Sequence, residues 1–188
     1  MGTAQHFEPA RLLIALLYPA ETHDLRPSDP LRKAIEARLG EADVVQAGMA
    51  FTWTGYYATE LGDGIERAFL SFPRLVDPSR LAELKRWTNS LEAEAAIDGR
   101  RSFNLDPGIL SLGAVVLATT KNRAHRIALS GGIYGELTLI YHDGAYRPLP
   151  WTYADWRSED YGAVLLELRG RLKRALAEAS LRSGAGGG

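Results

Sequence analysis

Thr119-Thr-Lys-Asn-Arg-Ala-His-Arg126 gathers three permanent cations, one histidine and two hydroxyls just ahead of Gly131-Gly132. Paired glycines accept positive φ and close tight turns, so a hairpin is expected there. A two-residue turn at Gly131-Gly132 sets Leu129 opposite Tyr134, Ile127 opposite Glu136 and His125 opposite Thr138. Strand alternation then puts His125, Ile127, Tyr134, Glu136 and Thr138 on one surface, with His125 diagonal to Glu136 at about 7 Å between Cβ atoms. A carboxylate so placed orients a histidine and charges it near neutral pH. The chemistry this suggests is an acid/base pair or ligand clamp of His125 with Glu136, while Lys121, Arg123 and Arg126 hold an anion. The competing reading is an exposed sheet face with a local His–Glu–Thr network and solvated arginines.

Two further segments bear on the same site. Asn104-Leu-Asp-Pro-Gly108 sets an amide and a carboxylate at the end of an expected strand, and Pro107-Gly108 reads as a turn, where binding groups gather. Asp106 is thereby a second carboxylate for a proton or a metal. Pro148-Leu-Pro-Trp-Thr-Tyr-Ala-Asp-Trp156 is stiffened by two prolines and dense in aromatics. Its Trp151 and Tyr153 could stack as a lid over a base or sugar ring, or plug the core where the sheet meets the last helix. The aromatic loop from Phe51 to Glu60 has the same two readings. Asn89, beside Thr88 in a helical stretch with propensity against both, is an outlier that a partner near Asn104 would explain.

Familiar motifs are absent. There is no Gly-rich phosphate loop ending in Lys-Ser/Thr, no GxGxxG, no HExxH and no GxSxG. The four histidines, at 6, 23, 125 and 142, include no close pair, which argues against a histidine metal site and leaves carboxylate binding of Mg²⁺ open. The chain has no cysteine, which excludes disulfides, thiolate-held zinc, iron–sulfur clusters and thiol nucleophiles. No cofactor is indicated.

The elements that must position these groups follow from patterning. At 188 residues with 46% hydrophobic and 24% charged residues, the chain is expected to form a single domain over 1–182 with a disordered glycine-rich tail at 183–188. Net charge is -1, but residues 1–99 sum to -5 and residues 100–188 to +4. A basic half could attract a phosphate-bearing ligand or RNA, or merely solvate a surface. The longest aliphatic run, Leu12 to Leu17, is too short to span a membrane. The first residues lack a basic signal-peptide head, so a cytoplasmic protein without membrane insertion is expected.

Arg11 to Tyr18 reads as a strand buried on both faces and central in a sheet. Asp29-Pro30 opens a helix ended by Gly40. Strands follow at 43–51 and 68–72, a second helix begins at Asp77-Pro78, and a strand at 102–105 completes the order strand, helix, strand, strand, helix, strand. That order is the ferredoxin-like split βαβ arrangement, an α+β class. Antiparallel β-hairpins extend it over 115–149, and an amphipathic C-terminal helix begins after Ser158 with Tyr161, Leu165, Leu168 and Leu172 on one stripe.

Tyr56-Tyr57 with Glu60-Leu-Gly62, Phe69-Leu-Ser-Phe72, Trp87-Thr-Asn89, Asn104-Leu-Asp-Pro-Gly108, Thr120-Lys121, His125-Arg-Ile127, Gly132-Ile-Tyr134 with Glu136, and Pro148 to Tyr153 also carry a resemblance. Together they resemble an uncharacterised bacterial family, domain of unknown function 4416, from about Arg11 to Arg169. Departures are Ile109, where the family reads as tyrosine after Pro-Gly, and Trp53 and Gly55, where it has an aspartate and a second aromatic. The resemblance implies no established activity, and the GTP-binding label of some members meets no phosphate loop here. The sequence therefore leads to a site for a small anionic or nucleotide-type ligand. Asn104, Lys121, Arg126, Tyr134, Trp151 and Tyr153 would bind, and His125, Glu136 and Asp106 would supply acid/base chemistry. The alternative is an RNA-associated or protein-assembly module without catalysis.

Overall fold

The computed structural model describes residues 2–185. Strand β1, Arg11–Pro19, is buried along its whole length and sits inside an eight-stranded, wholly antiparallel sheet. Its neighbours are β3, Ile65–Ser71, and β4, Asn104–Leu110; β2, Val44–Ala50, flanks β3 at one edge. Beyond β4 come β5, Ala114–Thr119, then β7, Tyr134–His142, which pairs with both β6, Arg126–Ala128, and β8, Ala145–Pro148. The strand, helix, strand, strand, helix, strand order is present, and the sheet runs β2-β3-β1-β4 through that part.

Burial on both faces explains the unbroken apolar run of β1. Leu12, Ile14, Leu16 and Tyr18 enter a core shared with α1, Pro30–Leu39, and α3, Leu81–Glu94. Leu13 and Ala15 enter a second core, on the opposite face, with Tyr161, Leu165, Leu168 and Leu172 of α4, Glu159–Ala185. Asp29 caps α1 by accepting the Leu31 and Arg32 N–H groups, Pro30 starts it, and Gly40, at φ +89°, ends it. A single 3₁₀ turn, Pro78–Arg80, leads into α3. A one-turn helix α2, Ala58–Leu61, lies inside the aromatic loop, where no helix was expected. Helix α4 carries its backbone through Ala185, into the segment expected to be disordered, and the rest of that segment lies outside the described residues. Among the described residues no helix is long and apolar enough to cross a membrane.

Two local expectations need correction. Pro107-Gly108 does not turn the chain. Pro107 lies opposite Ile14 and Gly108 opposite Leu13 inside β4. A proline is tolerated in a strand where no ladder donor is required, and β4 pairs with β5 only from Gly108 to Leu110. Gly108 is needed for close approach, since a Cβ there would lie 2.7 Å from Leu117 Cδ2 and 3.3 Å from the Val116 carbonyl. Toward its N-terminus β4 follows β1 alone, while β5 follows β7 as far as Thr119, so the sheet splits between β4 and β5.

The second correction concerns the hairpin. Gly131 and Gly132 have φ of +58° and +77°, and the Ile133 N–H donates to the Ser130 carbonyl as a tight turn requires. The Ile133 carbonyl, however, accepts from Leu129, leaving one residue extra on the first strand. Such a bulge shifts register by one position, which exchanges the two faces of the strand. Arg126, not Ile127, therefore lies opposite Glu136, and Ile127 is exposed.

Candidate functional site

Register fixes which side chains share the face that α4 covers. Arg67 lies opposite Leu17, which lies opposite Asn104; Asp106 is two residues further along β4. Gly108 is opposite Leu117, Leu117 opposite Glu136, and Glu136 opposite Arg126. Directly paired residues project from the same face. Arg67, Asn104, Asp106, Glu136 and Arg126 thus come from four strands to one side, at the end of the sheet where β4 and β5 part. Through that parting Lys85, Asn89 and Glu92 reach in from α3, on the opposite face. The result is a cleft of about 600 Å³, lined by α3 from one face and by the segment Tyr153 to Trp156 ahead of α4 from the other. Its aromatic wall comes from the loop containing Phe51, Trp53, Tyr56 and Tyr57, and from Tyr153 and Trp156 ahead of α4.

Most charges in the cleft are paired. At the floor the Arg67 guanidinium donates to Asp155 at 2.8 Å and to the Tyr161 hydroxyl at 3.1 Å, and lies over the Phe51 ring. Its Nη1 is buried and has no hydrogen-bond partner among the described residues, a condition that costs about 1–3 kcal/mol when it persists. Lys85 Nζ donates to the Leu105 carbonyl at 2.7 Å and to Asp106 at 3.0 Å, with Glu92 at 4.0 Å. Asn104 donates to Asp106 at 2.8 Å and accepts from Arg101 at 2.7 Å; Arg101 also bonds Glu60 and Glu92. Glu92 accepts the Leu105 N–H at 2.6 Å.

At the opposite wall Arg126 donates to Glu136 at 2.6 Å, to the Lys121 carbonyl at 2.9 Å and to the Tyr153 hydroxyl at 3.1 Å. Lys121 itself is exposed at the rim. Its Nζ touches the Tyr56 hydroxyl at 3.3 Å and stands 4.6 Å from that ring's centroid, a cation–π contact. Among the described residues it is the cleft's one cation with no carboxylate partner.

Burial and charge pull the carboxyls in opposite directions. Burial alone would raise Asp106, but the Lys85 and Arg67 charges, with hydrogen bonds from Lys85 and Asn104, hold it below the usual carboxylate range. Burial wins for Glu92 and for Asp155, pushing both upward in spite of Lys85 beside the first and Arg67 beside the second. Burial also raises the Tyr57 hydroxyl, so it stays protonated as a donor.

Of the residues anticipated from sequence, Asn104, Asp106, Lys121, Arg126, Glu136 and Tyr153 line this cleft, and His125, Tyr134 and Trp151 do not. His125 stands behind the wall, its Nε2 3.0 Å from Glu136, and stacks on Trp151 at 5.1 Å and 11°. Trp151 donates its ring N–H to the Leu137 carbonyl and Tyr134 is half-buried. Neither Trp151 nor Tyr153 plugs the core; both are exposed, and Trp156 is the buried aromatic of that segment. Arg123 is exposed outside the cleft, whereas Asn89, the outlier of α3, lines it. Among the described residues there is no group of three His, Asp or Glu side chains that could hold a metal ion.

Arg67, Lys85, Glu92, Arg101 and Asp155 were not anticipated. A signal did exist for three of them: Arg67 directly adjoins the apolar run Ala68-Phe-Leu70 of β3, and Lys85 and Glu92 fall on the same helical stripe as Leu81, Leu84 and Thr88. Charges on a buried stripe must be paired, and that pairing is what the cleft contains.

Residues 8–171 match the model of a family described as Domain of unknown function (DUF4416). No curated protein and no solved structure matches the chain.

Proposed function

The chain belongs to the DUF4416 family, and since that membership carries no activity, we propose from the site that the cleft binds a small anionic ligand bearing a ring. The observation that supports this is the convergence of Arg67, Lys85, Arg101, Lys121 and Arg126, from four separate segments of the chain, on one cavity of ligand size. The free Arg67 Nη1 at the floor and the uncommitted Lys121 at the rim are the donors an anion would take. The tyrosines and tryptophans of the walls suit a flat ring.

On this reading Glu136 and Asp106 orient the cations and meet the ligand, while His125 holds Glu136 from behind. His125 is then a positioning residue, and its effect reaches the ligand only through Glu136. An open RNA-binding surface fits less well, because the cleft cations face carboxylates and aromatic walls rather than a track for a phosphate backbone.

The test is mass spectrometry of small molecules released by denaturing the purified native protein and its Lys121→Gln variant. The expected result is an anion that accompanies the wild type and is depleted about tenfold in the variant, the change a lost charge-assisted hydrogen bond produces. Recovery of nothing, or equal recovery from both, would count against the reading. Recovery of RNA fragments removed by moderate salt would favour the open-surface alternative.

A further inference from the structure

We infer that the ligand is singly charged and carries hydrogen-bond donors of its own, as a hydroxyl- or amino-substituted ring acid does, and is not a polyphosphate; this rests on the anion-binding reading above.

Most charges of the cleft are already committed to one another. Its lining has five cations, Arg67, Lys85, Arg101, Lys121 and Arg126, against four carboxylates, Glu92, Asp106, Glu136 and Asp155. Arg67 is tied to Asp155, Lys85 to Asp106, Arg101 to Glu92 and to Glu60, and Arg126 to Glu136. Among the described residues Lys121 alone is left over, so the lining has room for one ligand charge. A second would have to be met by a cation taken from a carboxylate. For Arg126 and Glu136, both nearly inaccessible to solvent, that leaves an ion buried without its partner, which is strongly unfavourable. Arg67 can offer its free Nη1 to the same ligand group without leaving Asp155, but its charge is already balanced there, so it makes no room for a second ligand charge.

The cleft also offers acceptors. Both Asp106 oxygens are engaged, one by Lys85 and one by Asn104, yet each retains a lone pair and the side chain is 29% exposed. A ligand hydroxyl or amine would be received there, and a bare polyanion would be repelled.

The experiment uses a graded series of real compounds: benzoate, isophthalate and 1,3,5-benzenetricarboxylate, with 4-aminobenzoate as the donor-bearing monoanion. Dissociation constants are measured by NMR titration of the full chain at constant ionic strength. In the wild type 4-aminobenzoate is expected to bind best, then benzoate, with affinity falling about tenfold for each further charge. Glu136→Gln releases Arg126 and is expected to remove most of the penalty on isophthalate. Asp106→Asn, at the more exposed carboxylate, makes the same comparison should Glu136→Gln fail to fold. Affinity that rises with charge in the wild type would overturn the single-charge assignment while leaving an anion site. An unchanged isophthalate penalty in folded variants would overturn charge pairing as its cause. Binding of no member of the series would overturn the anion reading itself.

Discussion

Asp106 and Glu92 share Lys85 and respond to it differently. Asp106 is held below its ordinary value, so the stability it contributes is present above about pH 4, the unfolded-state value, and is lost as pH falls through the folded one. Glu92 is pushed up by burial, so its contribution has the opposite sign: present below about pH 4.3 and lost as pH rises through the folded value. Asp106→Asn should therefore lose melting temperature relative to wild type as pH rises toward about 4, and Glu92→Gln should gain it as pH rises above about 4.3. Thermal melts across that range check both slopes, and slopes of the same sign would contradict the assignment. Two further substitutions separate rim from wall. Lys121→Ala, at an exposed position, should leave the melting temperature within about 1–2 °C. His125→Ala removes a hydrogen bond to buried Glu136 and a ring stack, about 1 kcal/mol, and should lower it by about 3 °C. A large loss in Lys121→Ala would make that residue structural. At this scale sequence was most informative for groups concentrated in one segment, such as Lys121 and Arg126. It was silent on Asp155, whose partner Arg67 is 88 residues away, and on the reach of Arg101 to Glu60, 41 residues away, since neither pairing appears until the chain is folded.

Elements place those groups, and one glycine controls how. Gly108 lets β4 and β5 touch just before they part, with Leu117, a cleft residue, against it. Gly108→Ala should cost about 1–3 kcal/mol, because Leu117 can shift but the Val116 carbonyl is held in the sheet. Chemical denaturation measures that loss, and an unchanged midpoint would show that the two strands do not pack as described. Strand and helix order, the Asp29 cap and the central position of β1 were legible because each is a local pattern: a periodicity, a capping residue, an unbroken apolar run. The passage of β4 through Pro107 was not. A Pro-Gly pair signals a turn unless the missing donor faces a gap in the ladder, and that gap is a property of two strands. The hairpin was half legible: both glycines adopt the expected turn, but the bulge at Leu129 and Ser130 reassigned the faces, bringing Arg126 to Glu136.

For the whole molecule, the consequence of the split sheet is that a cleft opens between two separate cores, one under α3 and one under α4, and draws side chains from both. Its buried ion pairs cost desolvation, which a closely packed apolar site would avoid; on the proposed reading they orient donors for a ligand. On that reading the ligand sits where the four strands and α3 meet. The most direct measurement is mapping of ¹⁵N chemical-shift changes, including the arginine Nε–H signals, while benzoate is titrated into the full chain. Saturable changes are expected at Arg67, Arg101, Arg126 and the backbone of Asn104 to Asp106 and Thr119 to Lys121. Saturable changes confined to the outer face of α4, or to β6 and β8 alone, would contradict that placement.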